Sequence, residues 1–399
     1  MPRALASALC VAAFLLLTSR ARADEAEDKA AKLIDAAGGK AVREPSLPGK
    51  PVIGVVMPPK FGDPELKALP SFKRLLAVSM TGPGVTDAAL KEVAALKTVV
   101  QLILDGKSVT DAGVRELAAL VNLKQLVLGD ASAVTAAGLK ELAALKNLNQ
   151  LAFTTAKLTD DELRALAGIK KLTALNAGSG KPEVTDAGLK ALAGLTDLTT
   201  LSLTVGPGVT DDGLKELTAL TKLTSLTLVR AVKVTDAGLK DVGTLKKLTT
   251  LSLDTDTGVT DAGVKELAGL TNLTSLAIAS KRVTGTGMRD LSGLKNLKQL
   301  YFNCKSFTDA GLKEVASFKS LVLFQLFNGA GITDAGVKEL TALPKLMTLD
   351  LSYCGVTDAG LKELAALKTL TGLVLTGTKV TDAAVKEFMK ELPKCQVVK

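Results

Sequence analysis

The sequence predicts an α/β solenoid, a right-handed arc with about fifteen parallel strands on its concave side and fourteen short helices on its convex side. A segment of the form Val-Thr-Asp-Ala-Gly-Leu-Lys-Glu-Leu recurs thirteen times, at steps of 24 to 26 residues. Each copy follows a Leu-x-x-Leu-x-Leu segment, and a repeat of this length buries its apolar face only by stacking on its neighbours. The copies begin at Val85, Val109, Val134, Leu158, Val184, Val209, Val234, Val259, Val283, Phe307, Ile332, Val356 and Val380.

Each unit has a strand half and a helix half. In the strand half, exemplified by Leu123, Leu126 and Leu128, alternation predicts a short strand with one buried face. The helix half begins at Thr-Asp, where Thr is an N-cap and Asp meets the positive end of the helix dipole. Leucines at steps of three, such as Leu361 and Leu364, then share one helix face. Because each strand is followed by a crossover helix, all strands are expected to be parallel.

The glycine of the repeated segment does not indicate a special backbone angle. Ala89, Glu162 and Ala384 occupy the same place in their units. We therefore expect an ordinary helical position where a small residue is preferred because neighbouring coils pack closely.

Residues 1–23 have the pattern of a secretory signal peptide. Arg3 precedes an apolar run of fourteen residues from Ala4 to Leu17, and Ala21-Arg22-Ala23 forms a cleavage site. That run is too short for a membrane anchor, and no later stretch is long and apolar enough to span a membrane. The protein is therefore expected to be exported, to a periplasmic, cell-envelope or extracellular location.

The region at 24–60 is predicted to cap the first edge of the solenoid. A helix from Asp24 ends at the glycine pair beginning at Gly38, an extended link covers 43–51, and a worn strand follows at 52–57. The solenoid proper spans 61–399. Its final strand, at 392–398, is expected to close the second edge of a complete array.

The charge pattern and the lack of histidine exclude several classes of function. Removing the signal peptide would take away three arginines and lower the formal net charge from +9 to +6. Lys and Glu recur as neighbours in the units, which indicates a solvated face and predicts no nucleic-acid partner. The chain has no histidine, which excludes Ser–His and Cys–His nucleophiles and His-ligated metals. We expect no enzyme activity and no cofactor, and a monomeric protein.

The three cysteines beyond the signal peptide are expected to be free thiols. Cys304, Cys354 and Cys395 lie about two units apart in sequence. Strands ~4.8 Å apart place residues two units apart at a separation of ~10 Å, which exceeds disulfide reach.

One aspartate-rich segment resembles half of a calcium loop. Asp254, Asp256 and Asp261 supply the hard oxygen ligands that Ca²⁺ prefers. The bidentate Glu of a full loop is missing, and Asp261 is the routine helix-start aspartate. No metal site is therefore predicted, and these three residues are only the weak candidate.

A patch on the concave face is the candidate binding site. Outward positions of the predicted strands are mostly Ser, Thr and Ala, but two adjacent strands break this pattern with aromatic and amide side chains. Exposed aromatic residues among amides suit a protein or glycan contact. Local drift of the repeat, with Phe302 and Phe324 repacking the core, is the alternative interpretation. The patch consists of Gln299, Tyr301, Asn303, Leu323, Gln325 and Phe327.

The repeated motif resembles a leucine-rich repeat. The Leu-x-x-Leu-x-Leu strand followed by Val-Thr-Asp-Ala-Gly-Leu is most similar to the cysteine-containing subclass, although only Cys354 stands where that subclass places its cysteine. The chain also resembles exported leucine-rich repeat proteins of bacteria. The resemblance implies the arc-shaped fold and leaves the partner open.

Three functions remain on this basis. The first is a non-catalytic, exported binding or scaffold protein that presents its concave surface to a protein or a surface polymer. The second is a structural spacer of the cell envelope without a specific ligand. A metal-dependent enzyme or calcium-binding protein is the least favoured.

Overall fold

The structure is a computed structural model that describes residues 25–399. The signal peptide predicted at 1–23 lies outside this range. Sixteen strands form one open sheet in which their spatial order equals their order in the chain. The strands are β1 Lys40–Arg43, β2 Val52–Val56, β3 Ala77–Thr81, β4 Gln101–Asp105, β5 Gln125–Leu128, β6 Gln150–Thr159, β7 Ala174–Glu183, β8 Thr200–Thr204, β9 Ser225–Val229, β10 Thr250–Asp254, β11 Ser275–Ala279, β12 Gln299–Asn303, β13 Leu323–Phe327, β14 Thr348–Asp350, β15 Gly372–Val374 and β16 Gln396–Val398.

Short helices alternate with the strands, which confirms the predicted fold class. In the coil that starts at Val283 the α-helix is replaced by a 3₁₀ helix at Thr286–Leu291. Within residues 25–399, no helix is both long and apolar enough to cross a membrane. The α-helices are α1 Glu25–Ala36, α2 Asp63–Ala68, α3 Asp87–Val93, α4 Asp111–Glu116, α5 Ala136–Glu141, α6 Asp160–Leu166, α7 Asp186–Leu192, α8 Asp211–Leu217, α9 Asp236–Val242, α10 Asp261–Lys265, α11 Asp309–Val315, α12 Asp334–Glu339, α13 Asp358–Leu364 and α14 Asp382–Glu391.

The strands pair in strict register along the coil. Leu251 of β10 faces Leu276 of β11, which in turn faces Leu300 of β12, and all three are fully buried. A slip of one residue would turn every leucine of a strand to the solvent. Hydrophobic burial therefore holds the register from β2 to β16, and the residues between the leucines face outward on the concave side.

The N-terminal cap contains a strand that the sequence interpretation missed. β1 pairs antiparallel with β2, so the expectation that all strands are parallel was wrong at this end. α1 ends as predicted, with Gly38 in the left-handed region at φ +90°. The buried carboxylate of Glu27 accepts a hydrogen bond from the backbone N–H of Val52 at 2.6 Å. β1 was missed because Lys40–Arg43 lacks the alternation of a half-buried strand and none of its residues is fully buried.

Carboxylates join consecutive coils on the convex side. Asp211, at the start of α8, accepts hydrogen bonds from the backbone N–H of Thr235 at 2.8 Å and from its hydroxyl at 2.6 Å. Nine other aspartates at this position bond to the backbone N–H and the hydroxyl of the equivalent threonine one coil further on. They are Asp87, Asp111, Asp160, Asp186, Asp236, Asp261, Asp309, Asp334 and Asp358.

The bridges explain why glycine recurs in the helix half. A Cβ atom at Gly238 would lie 2.4 Å from Oδ1 of Asp211, the oxygen that bonds to the Thr235 backbone. Close packing between coils was therefore the correct interpretation, and the neighbour is the bridging carboxylate. Ala384 stands at this position in α14, where the cap accepts from the third helical N–H instead of the second.

Candidate binding surface

The six predicted patch residues lie together on β12 and β13. Tyr301 faces Gln325 across the parallel pair, and the pairs on either side of it complete the patch. In both strands these residues alternate with fully buried ones. The patch is therefore a continuous part of the concave surface. The flanking pairs are Gln299 with Leu323 and Asn303 with Phe327.

Two aromatic rings form the centre of the patch. The ring centroids of Tyr301 and Phe327 are 5.3 Å apart at an interplanar angle of 39°, a tilted arrangement that aromatic pairs favour. Tyr301 is 38% exposed and Phe327 is half-buried. An aromatic pair of this kind is a rigid apolar anchor with a hydroxyl at one end.

Separate aromatic rings fill the core behind the patch. Phe302 and Phe324, next to the outward residues, are fully buried, and Phe302 stacks on Phe307 at 5.0 Å. Phe307 fits because Gly285 has no side chain: a Cβ there would lie 2.4 Å from the ring. Phe302 and Phe324 lie in the core, as the interpretation by local drift predicts, whereas Tyr301 and Phe327 lie on the outward face of the sheet.

The structure adds Asp350 to the patch. It faces Gln325 from β14 and is only 5% exposed. Its carboxylate accepts hydrogen bonds from the Ser352 backbone N–H at 2.9 Å and hydroxyl at 2.5 Å. Burial, and secondarily the charge of Asp350, raises the pKa of the Tyr301 hydroxyl, so it stays a neutral donor. The outward positions of the next strand would have revealed this residue, because Asp350 stands between two leucines.

Asn328 also adjoins the patch without having been predicted. Its side-chain amide donates to Oδ1 of Asn303 at 2.8 Å. Asn328 has a φ of 61°, and Tyr353 has a φ of 60° at the equivalent position of the next coil. Gly82 and Gly377, at this position in two other coils, also have positive φ values. Tyr353 is 58% exposed and lies over Gly377, whose missing Cβ leaves room for the ring.

A cleft of about 520 Å³ opens beside the patch, beyond the carboxyl ends of β10 to β14. Asn303 belongs to both the patch and the cleft. Sequence analysis did not predict the cleft, because residues from five coils form it. Its walls are Asp254, Thr255, Asp256, Ala279, Ser280, Lys281, Asn303, Lys305, Asn328, Ala330 and Tyr353.

The three aspartates of the weak calcium candidate have separate partners. Oδ2 of Asp254 accepts the Arg230 backbone N–H at 3.3 Å, and Asp256 forms an ion pair with Lys281 at 2.5 Å. Asp261 bridges to the next coil, where Thr284 and two glycines donate to its carboxylate. Across residues 25–399, no three His, Cys, Asp or Glu side chains are grouped so as to hold a metal ion.

The three cysteines in the described part of the chain are free and buried. Burial raises the pKa of Cys304 to about 12 and that of Cys354 to about 11, and it raises the pKa of Cys395 as well. These thiols are therefore neutral near pH 7 and act as small apolar side chains of the core.

Comparison with known proteins agrees with a leucine-rich repeat fold. A family model described as Leucine Rich repeat matches residues 342–365. No curated protein sequence matches the chain. A chain of the yeast Rad7 and Elc1 complex is 18% identical, with a TM-score of 0.50, over 79% of this chain and 83% of that one. The matched repeat and the sixteen-stranded solenoid show that the chain has the leucine-rich repeat fold.

Two bacterial structures are also similar. An internalin (InlF) from Listeria monocytogenes is 18% identical over 93% of this chain and 94% of its own, with a TM-score of 0.49. A leucine-rich repeat protein from Leptospira interrogans is 19% identical over 86% and 93%, with a TM-score of 0.36. At these identities the similarity concerns the fold and does not extend to partners.

Proposed function

We propose that this protein is an exported, non-catalytic binding protein whose concave sheet takes a protein partner centred on Tyr301 and Phe327. The observation that carries this proposal is the exposed aromatic pair, since the outward positions of the preceding strands β8 to β11 are mostly Ser, Thr and Ala. Solenoids of this type commonly use the concave side as an extended binding surface. The signal-peptide pattern at 1–23 supports export, and the lack of histidine supports a non-catalytic role.

The surroundings of the pair suit a protein interface. Aromatic residues near the centre of a contact dominate binding energy, and surrounding polar residues exclude water. Here the amides of Gln299, Gln325 and Asn303 surround the rings, and the buried carboxylate of Asp350 lies on the next strand. Amides both donate and accept hydrogen bonds, so they can pair with the backbone of a partner.

The test removes the rings and leaves the fold in place. The variant Tyr301→Ala/Phe327→Ala should bind its partner from an envelope extract about thirtyfold or more weakly, since losing a central anchor costs about 2 kcal/mol or more. Its melting temperature should change little, because both side chains face outward. Val229→Ala is the matched control, since Val229 is an outward apolar residue of β9, 36% exposed and outside the patch.

Two outcomes would contradict the proposal. Unchanged capture together with a large fall in melting temperature would show that the rings serve packing. If the wild-type chain captures nothing, the structural spacer becomes the better explanation, since most of the concave face is small and neutral.

A further inference from the structure

The cleft beside the patch has the volume of a ligand site. Its volume of about 520 Å³ lies within the ~300–1,000 Å³ typical of small-molecule sites. Wall residues come from five successive coils, from Asp254 after β10 to Tyr353 after β14. Strands ~4.8 Å apart make such a site roughly 19 Å long. That length suits a linear ligand of several units better than a single small molecule.

The chemistry of the walls selects a neutral ligand rich in hydroxyl groups. Two carboxylates and two ammonium groups balance, and Asp256 and Lys281 already neutralise each other at 2.5 Å. Neither a phosphate nor a metal cation is favoured by such a balance. Asn303 and Asn328 offer donors and acceptors side by side, as a pair of neighbouring hydroxyls requires. Apart from the tyrosine ring, the apolar side chains of the walls are alanines, so no pocket suits a large apolar peptide side chain.

The backbone at two wall residues lies in the left-handed region. Asn328 and Tyr353 have φ values near +60° at a loop position where Gly82 and Gly377 adopt positive φ without steric cost. Asparagine adopts this region at little cost, whereas a bulky residue such as Tyr353 is strained there. At this position two neighbouring coils therefore present an amide and a phenol ring to the cleft, where glycine would offer no side chain.

We propose that this cleft binds a neutral oligosaccharide along its length. Tyr353 stacks on the apolar face of one sugar ring, and the Asn303–Asn328 amide pair hydrogen-bonds to hydroxyls of a neighbouring ring. Lys305, which forms no ion pair with any residue in 25–399, provides a further donor. This site goes beyond the proposed protein contact, because it uses the loop side of the coils and shares only Asn303 with the aromatic patch.

The experiment exploits the glycine found at the same loop position in other coils. Isothermal titration would measure binding of four neutral tetrasaccharides: cellotetraose, maltotetraose, mannotetraose and the N-acetylglucosamine tetramer. At least one should bind with a dissociation constant of ~1 mM or tighter. Tyr353→Gly and Asn328→Gly should each weaken that binding about tenfold or more with little change in melting temperature, because glycine adopts positive φ at this loop position in other coils.

Arg230→Gly is the matched control. Arg230 has a φ of 63° at the same loop position, and its side chain is not part of the cleft wall. This variant should bind the saccharide as the wild type does. The proposal is wrong if none of the four saccharides binds the wild-type chain, or if both glycine variants bind as well as Arg230→Gly. Tyr301→Ala/Phe327→Ala should keep saccharide binding, so failure of the protein contact and failure of this site are distinguishable.

Discussion

Two of the thirteen copies have no aspartate at the bridging position, and the coils that follow them compensate in different ways. Ala136 stands at that position at the start of α5, and Gly285 stands there just before the 3₁₀ helix. In both cases the N-cap threonine of the next coil loses its carboxylate partner. The neighbouring regular coils, where Asp211 bonds to Thr235, show what is missing.

After Ala136, the next coil supplies its own carboxylate. Glu162 accepts hydrogen bonds from the backbone N–H of Thr159 at 2.8 Å and from its hydroxyl at 2.6 Å. It occupies the helical position where glycine stands in the regular coils. Glutamate fits there because no aspartate comes from the preceding coil, and its carboxylate replaces the missing one.

After Gly285, no carboxylate is recruited. The backbone N–H of Thr308 bonds to the carbonyl of Thr284 at 3.1 Å, and its hydroxyl bonds to the same oxygen at 3.3 Å. Gly285 itself has a φ of +89°, and the ring of Phe307 lies against it. Here the helix changed type and the core gained an aromatic ring, in the same coil that carries Tyr301.

The difference shows what the glycine of the repeat is for. Where the preceding aspartate is present, glycine makes room for it, and where that aspartate is absent, glutamate can take over its role. The N-cap threonine needs a carboxylate as hydrogen-bond acceptor, and that carboxylate can come from the preceding coil or from its own coil. At Gly285, glycine is required by the positive φ and by the ring of Phe307, not by a bridging carboxylate.

The largest effect on stability is expected when the aspartate found in the other coils is introduced at position 285. Gly285→Asp should destabilise the protein by about 3 kcal/mol, because a side chain there is both strained at positive φ and in collision with Phe307. Denaturant titration would measure the change. Gly293→Ala is the control in the same coil, since nothing lies within 4 Å of a Cβ there. If Gly285→Asp instead stabilises the protein, positions 136 and 285 are equivalent and both accept the bridging aspartate.

A smaller loss of stability is expected when Glu162 is removed, and an aspartate at position 136 should reverse it. Glu162→Gly should cost about 2 kcal/mol, because two hydrogen bonds to a charged group are lost. Adding Ala136→Asp to this variant should restore most of the stability by rebuilding the bridge from the preceding coil. If the double variant is no more stable than Glu162→Gly, the two carboxylates are not interchangeable. Thermal and denaturant unfolding would both report the rescue.

The smallest effect concerns a regular coil. Gly238→Ala should cost about 1 kcal/mol, because its Cβ displaces the carboxylate of Asp211. In an Asp211→Ala background the same change should cost almost nothing, and this non-additivity is the measurement. Asp212→Ala serves as the matched background, since Asp212 is exposed and its side chain does not contact Gly238. Equal costs in both backgrounds would mean that the glycine serves another purpose.

The sequence predicted the fold and the outward direction of the patch residues well. Leucines repeating every 24 to 26 residues determine which side of each strand is buried, so the orientation of Tyr301 follows from that of Leu300 and Phe302. The antiparallel β1 could not be predicted in this way, because Lys40–Arg43 has no apolar alternation. Asp350 was predictable in principle from its place between two leucines.

By itself the sequence determined the period, the buried face and the N-cap threonines, because each depends on residues close together in the chain. Only the tertiary structure decided which threonine the Asp211 carboxylate binds, since its own coil and the next both offer one. The cleft is also decided by the tertiary structure, because residues from Asp254 to Tyr353 meet only when five coils stack. Contacts between coils join residues about 24 positions apart, and their geometry is set by the packing of the coils and not by local sequence.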